Sequence, residues 1–267
     1  MPGLSDLSTP TPTTSGHYTI DVPAGWRQGR GQYGGLTIAT LMRAIDHAIG
    51  DPTRTARSVT AELPGPVMTG AAEITTEILR TGSAVSTARA SLAQGGEIKA
   101  HAVAVLTSPR RGSGPLAWQE PVAPEAAPWS QLEPLDMTDD ASWPEFVTNF
   151  EYRVIEGLPG SGSAARTLGW IRPRLHGGLR DSAHIAAVMD AWWPAALCKM
   201  PAPRPMATIV YSLDIVAGID GLNPEAPLLY RGTAPVLADG YCLETRELWG
   251  EDGRLVAINH QTFVIIA

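Results

Sequence analysis

The sequence predicts an α+β fold in which one long apolar helix packs on an antiparallel sheet, and it predicts that unit twice. Three observations carry this. Residues 36–49, LTIATLMRAIDHAI, form an apolar helical run closed by Gly50. Four alternating segments follow it at 55–63, 71–80, 84–94 and 97–107, separated by Pro64-Gly65-Pro66, Gly82 and Gly95-Gly96. Beyond a proline-rich stretch, a second apolar helix within 181–200 is followed by a second set of alternating segments. At 267 residues the chain is long for one small domain and comfortable for two, each able to bury a core.

Taken in order, residues 1–16, MPGLSDLSTPTPTTSG, have neither the basic start nor the apolar run of a secretory signal and are expected to be a disordered lead. The first domain is expected over 17–107. His17 to Asp21 and Gly25 to Gln28 are short strand-like pieces around a proline turn. GRGQYGG, residues 29–35, then leads into the first helix. Its glycine spacing is neither a Walker loop nor a dinucleotide fingerprint, so close packing at the helix start is the better reading. Residues 108–145, with seven prolines between Pro109 and Pro144, are expected to link the domains, pinned by Trp118, Trp129 and Trp143. The second domain, 146–267, has strands expected at 148–155, 165–172, 206–215, 227–235, 240–249 and 254–266 around its helix.

One carboxylate in that second helix is out of place. Asp190 has Ala186, Ala187, Trp193 and Pro194 as its helical neighbours, which puts it on an apolar face. Pro194 lacks the N–H that would bond the Asp190 carbonyl, so the ladder opens beside the charge. Two polar side chains on strands accompany it. Alternation puts Thr208 on a face with Met206 and Val210, and Gln261 on a face with Phe263 and Ile265.

The segments VMDAWWPAAL, MATIVYSLDI and VAINHQTFVI resemble the helix, strand and last strand of the acyl-CoA thioesterase II family, in that order. The family's Asp, Thr and Gln map onto Asp190, Thr208 and Gln261. The paired segments in LRTGSAVSTARASLAQGGEIKAHAVAVL are similar too, as is the Gly34-Gly35 pair at the first helix. Tyr211 stands where the family has a histidine, and Thr262 where an acid often follows the glutamine. The resemblance implies two tandem hot-dog domains, each an antiparallel sheet wrapped around one long apolar helix. It also implies thioester hydrolysis and association of double hot-dog subunits. Offsetting the halves by 147 sets Arg43 against Asp190, and offsetting the last strands by 157 sets Ala104 against Gln261. One active site per chain is therefore expected, in the second half, with the first half supplying wall and helix-end contacts.

The chemistry fits such a site. A thioester's leaving thiol has a pKa near ~8.5 and departs with little acid help, so a placed water and an oxyanion site are the chief needs. Asp190 is the candidate base, poorly solvated and more basic than usual. The Gln261 amide shares the water with it, and the Thr208 hydroxyl fixes the Gln or the water. Substrate-binding candidates are Gly34, Gly35, Arg180, Trp192 and Trp193. Arg172, Arg174, Arg180 and His176 are candidates for the anionic groups of acyl-CoA, against the reading of a solvated basic loop. For the tryptophans the competing reading is core packing. Two other classes stay open: a non-catalytic acyl-thioester binding protein, and a hot-dog enoyl-CoA hydratase or dehydratase using Asp181 and His184. Ser212 lacks a nucleophile elbow.

Composition sets bounds on partners. The net charge of -7 argues against nucleic acid, and no apolar run reaches the ~20 residues of a membrane helix. The six histidines and two cysteines show no ligand spacing, so neither metal nor cofactor is expected. Cys198 and Cys242 fit thiols of a reducing, cytoplasmic compartment, with a disulfide between them left open.

Overall fold

The structure, a computed structural model, describes residues 2–109, 118–137, 143–175, 177–178, 180–202, 204–216, 219, 222–223 and 225–266. The first half runs α1 (Leu4–Leu7), β1 (Thr11–Thr14), β2 (His17–Val22), β3 (Arg27–Gln28), β4 (Gly31–Gln32), α2 (Gly34–Ile49), β5 (Thr55–Glu62), β6 (Gly70–Thr81), β7 (Val85–Gln94) and β8 (Glu97–Thr107). The second half runs β9 (Phe150–Glu156), β10 (Arg166–Pro173), α3 (Ser182–Asp190), α4 (Ala196–Lys199), β11 (Met206–Ile215), β12 (Leu228–Ala238), β13 (Tyr241–Trp249) and β14 (Leu255–Ile265).

Twelve of the strands form a single antiparallel sheet, ordered β1-β2-β6-β7-β8-β5-β11-β14-β13-β12-β10-β9. The order is palindromic. Reading outward from the middle, each half repeats the other, so each of the six strands of the first half-sheet has a counterpart in the second, while β3 and β4 form a separate two-stranded sheet. The halves join where β5 pairs with β11, Glu62 opposite Val210 and Ser58 opposite Asp214. This is the double hot-dog architecture, each half-sheet packing on its own helix: α2 lies on β5 to β8, and α3 on β10 and β13. The two helices also pack on each other. Gly35 permits that approach, since a Cβ there would lie 2.9 Å from the Ala187 carbonyl oxygen.

Helix α2 closes at Gly50 in the left-handed conformation (φ 64°), and its buried face carries Leu36, Ile38, Leu41, Met42 and Ile45. Helix α3 is buried along its whole length. It ends at Asp190, four residues before Pro194, and the chain turns again as α4.

Residues 2–16 depart from the expected disordered lead. Asp6 accepts from the Gly3 N–H at 2.8 Å, the Leu4 N–H donates to Leu175 at 2.8 Å, and the Leu4 side chain is 1% exposed. Residues Thr11–Thr14 then extend the sheet against β2. A few apolar atoms suffice because the slot they fill is built by residues far along the chain. In the expected linker, Trp129 lies under the guanidinium groups of Arg153 and Arg172 at 4.1 and 4.8 Å. Trp143 packs on Trp193 with ring centroids 5.5 Å apart. Trp118, expected to pin the segment, is instead 80% exposed. Cys198 and Cys242 are buried free thiols, which closes the disulfide alternative. No helix among the described residues is long and apolar enough to cross a membrane.

Candidate functional site

Asp190 occupies the last turn of α3, where the fold brings β14, β11 and the start of α2 together. Its carboxylate is buried, and the Gln261 Nε2 donates to Oδ1 at 2.9 Å. The Thr208 hydroxyl donates to Gln261 Oε1 at 3.0 Å. The three side chains form one hydrogen-bonded chain drawn from a helix and two neighbouring strands. Gln261 Nε2 also donates to Asn259 Oδ1 at 2.9 Å, and Asn259 Nδ2 to the Ser212 carbonyl at 2.8 Å. Both amide hydrogens of Gln261 are thus committed to protein acceptors. The glutamine orients the carboxylate, where the sequence reading had it share a water.

The start of α2 meets the other side of Asp190. The Gly35 N–H faces the carboxylate and favours its charged form, and a Cβ added to Gly34 would sit 3.0 Å from Asp190 Oδ2 and 3.1 Å from Leu63 Cδ1. Gly34 keeps the space beside that oxygen open. The first N–H groups of a helix have no partner within it and carry its positive end, so this edge of the site favours negative charge. Tyr211 is fully buried and donates to the Ala186 carbonyl at 3.0 Å. Tyr33 donates to the Ala187 carbonyl.

A buried charge network adjoins the site. Arg246 is 1% exposed; its Nε lies 2.8 Å from Glu244 Oε1 and its Nη1 3.6 Å from Asp190 Oδ1. Arg246 Nη1 also donates to the Met189 carbonyl at 3.2 Å, and Glu244 accepts the Ala195 N–H at 2.8 Å. Burial pushes the Asp190 carboxyl above its ordinary range; Arg246, Gln261 and the Gly35 N–H pull it partly back, and Glu244 pushes the same way as burial. Glu244 is raised as well, by burial first and against the pull of Arg246. Arg246, Glu244 and Asn259 escaped the sequence reading. The usable signal was the alternation Cys242, Glu244, Arg246, Leu248, which puts two charges on a face shared with buried apolar residues.

The remaining candidates lie elsewhere. Arg180 precedes α3, whose nine residues put about 13 Å between its ends. Its guanidinium donates to the Ala226 carbonyl, and burial pulls its pKa down to about 10. The structure does not bring Arg180 to Asp190. Arg172 pairs with Glu151 at 2.9 Å and Arg174 bonds the Thr148 carbonyl at 3.1 Å, while His176 lies outside the described residues. Trp192 stacks on Tyr230 at 4.9 Å, and Trp193 donates to the Gly157 carbonyl at 3.0 Å. Both tryptophans are 7% exposed or less and belong to the aromatic core. Asp181 caps α3, accepting the His184 N–H at 2.8 Å and pairing with Arg43. That structural task occupies the acid on which the hydratase alternative depended. A cleft of about 470 Å³, lined by Asp46, His47, Arg54 and Asp181 among others, opens at that end of the helix pair, opposite Asp190. Among the described residues, no group of three or more His, Cys, Asp or Glu is placed to hold a metal ion.

Comparison with known structures defines the class first. A hot-dog protein of unknown function from Alicyclobacillus acidocaldarius matches with a TM-score of 0.87 at 23% identity, covering 99% of this chain and 98% of its own. A TesB protein from Mycobacterium avium subspecies paratuberculosis matches at 0.80 and 18%, covering 99% and 98%. An acyl-CoA thioesterase II from Mycobacterium marinum matches at 0.77 and 17%, again over 99% and 98%. At these identities the likeness is one of fold: a double hot-dog. Among curated proteins nothing matches. The family is fixed by sequence models: that of the acyl-CoA thioesterase N-terminal domain matches residues 22–107 and that of the C-terminal domain residues 122–265. The chain belongs to the acyl-CoA thioesterase family.

Proposed function

We propose that this protein hydrolyses acyl-CoA thioesters to a carboxylic acid and coenzyme A, with Asp190 as the base. The observation that supports this best is the linked set of Thr208, Gln261 and Asp190, joined at 3.0 and 2.9 Å, with the start of α2 on the far side of the carboxylate. Thr208 holds Gln261, and Gln261 holds Asp190 Oδ1. Oδ2, beside Gly34, takes the proton of a water as its oxygen attacks the thioester carbonyl carbon. The oxyanion forms against an N–H at the start of α2, that of Gly34 being nearest in sequence to the carboxylate contact. Collapse of the tetrahedral intermediate breaks the C–S bond and releases coenzyme A as thiolate. Burial gives Asp190 the raised proton affinity that a base at neutral pH requires.

A reducing, cytoplasmic compartment suits this reading, since Cys198 and Cys242 are free thiols. Release of free thiol from a panel of acyl-CoA lengths tests the reading. Asp190→Asn is expected to lower the rate roughly 10²- to 10⁴-fold with the fold intact. Hydrolysis by Asp190→Asn at the parental rate removes Asp190 as base, and acyl-CoA binding by the parent without thiol release makes the protein a binding module.

A further inference from the structure

The hot-dog fold has no need of charge at two positions on β13. Ala88 pairs with Ala104 and Ala90 with Ala102 in the first half-sheet; in the second, Glu244 pairs with Gln261 and Arg246 with Asn259. The alanines are 1% exposed or less, so apolar residues fill the same places and the sheet closes around its helix. A buried ion pair also adds little net stability over well-packed apolar residues. Stability alone does not account for Glu244 and Arg246.

Their geometry does. Arg246 Nε sits 2.8 Å from Glu244 Oε1, within hydrogen-bond distance, while its Nη1 sits 3.6 Å from Asp190 Oδ1, beyond it. The Met189 carbonyl, left open at the end of α3, anchors the guanidinium at 3.2 Å. Glu244 is held in turn by the Ala195 N–H at 2.8 Å and the Tyr230 hydroxyl at 3.4 Å, so it cannot swing away. We infer that Arg246 and Glu244 are positioning residues for Asp190: one guanidinium, shared between two carboxylates and claimed mainly by Glu244, steadies the base without locking it into an ion pair. The inference rests on the hydrolytic reading above for its purpose, and on the distances alone for the coupling.

The other ionisable groups facing Asp190 are Tyr33, ahead of α2, Tyr152 on β9, Tyr211 on β11 and Tyr230 on β12. Burial raises all four hydroxyls well above their ordinary range, so they stay neutral where Asp190 titrates. The local charge is set by Arg246 and Glu244. Glu244→Gln keeps the shape and an acceptor for Ala195 and gives the whole guanidinium charge to Asp190, which then loses its proton at lower pH. The double variant Glu244→Gln/Arg246→Gln removes the cation too and moves that titration back up.

Two measurements on the full chain separate the inference from the reading beneath it. The infrared carbonyl band of protonated Asp190, assigned by its loss in Asp190→Asn, is followed against pH in the parent and both variants, with circular dichroism confirming the fold. The acid limb of kcat/KM for thiol release is measured in parallel. Expected is a fall of about one pH unit in both for Glu244→Gln, with a return upward in the double variant. An Asp190 titration that stays put or rises in Glu244→Gln overturns the inference. If the band moves while the rate limb stays, the coupling stands and Asp190 is not the base. If the parent releases no thiol, the infrared titration still decides the coupling.

Discussion

Where the first half-sheet carries Ala88, Ala90, Ala102 and Ala104, the second carries Glu244, Arg246, Asn259 and Gln261. All eight are buried, and the strands bearing them pair in the same way. The difference shows how one fold serves two ends. In the first half, small apolar residues let α2 settle on the sheet. In the second, polar groups take their place, and each is hydrogen-bonded, as burial demands. The helix ends differ to match. The C-terminal turn of α3 offers Asp190 to the start of α2; the related contact pairs Arg43, on α2, with Asp181 at the start of α3.

The sharpest way to break this asymmetry is Gln261→Ala, which gives the second half the residue that the first has at position 104. It removes the group that orients Asp190, and thiol release is expected to fall by about 3 kcal/mol in transition-state stabilisation, roughly a hundredfold. Gly34→Ala tests the contribution of the first half. A methyl group wedged between Asp190 Oδ2 and Leu63 is expected to lower kcat/KM roughly tenfold by displacing the reacting groups, with little change in the unfolding midpoint. At the opposite helix end, Asp181→Ala loses the cap and the partner of Arg43. Denaturant unfolding should show about 1 kcal/mol less stability, with hydrolysis per folded molecule retained.

The smallest effect concerns Asp46, beside that ion pair. Burial, reinforced by Asp181 and opposed by Arg43, raises its pKa from 3.8 to about 7. The folded protein thus holds a proton that the unfolded chain has already lost, so this group's contribution to stability falls as pH rises from about 4 to 7. Asp46→Asn is expected to raise the melting temperature more at pH 8 than at pH 5. About 1 kcal/mol is the scale, since the half-buried carboxyl keeps part of its hydration.

Much of this was legible in the sequence. Segments such as 206–215 alternate cleanly between turn residues, and the strand found there has the same limits. Asp190 stood out because a carboxylate beside a proline in an apolar helix has few other reasons to exist. Thr208 and Gln261 were identified through family resemblance, because one hydroxyl and one amide on strands carry no signal until the strands are placed side by side. Glu244 and Arg246 were hidden by an inverted pattern. On β13 the apolar Tyr241 and Leu243 point outward, half exposed, while the charges point in. Arg180 is read as a partner for the anionic groups of acyl-CoA from its place among the arginines before α3; in the fold its guanidinium bonds the Ala226 carbonyl, a helix length from Asp190. The lead was misread because Leu4 finds its partner at residue 175, beyond the reach of any local pattern.

The seam between β5 and β11 joins two parts of one polypeptide. The meeting of Gly35 with Asp190 is consequently intramolecular, and the fraction of molecules in which it is made does not depend on protein concentration. Two separate hot-dog chains building the same contact would come apart on dilution and lose it. Here the assembled contact survives at any concentration at which the chain is folded.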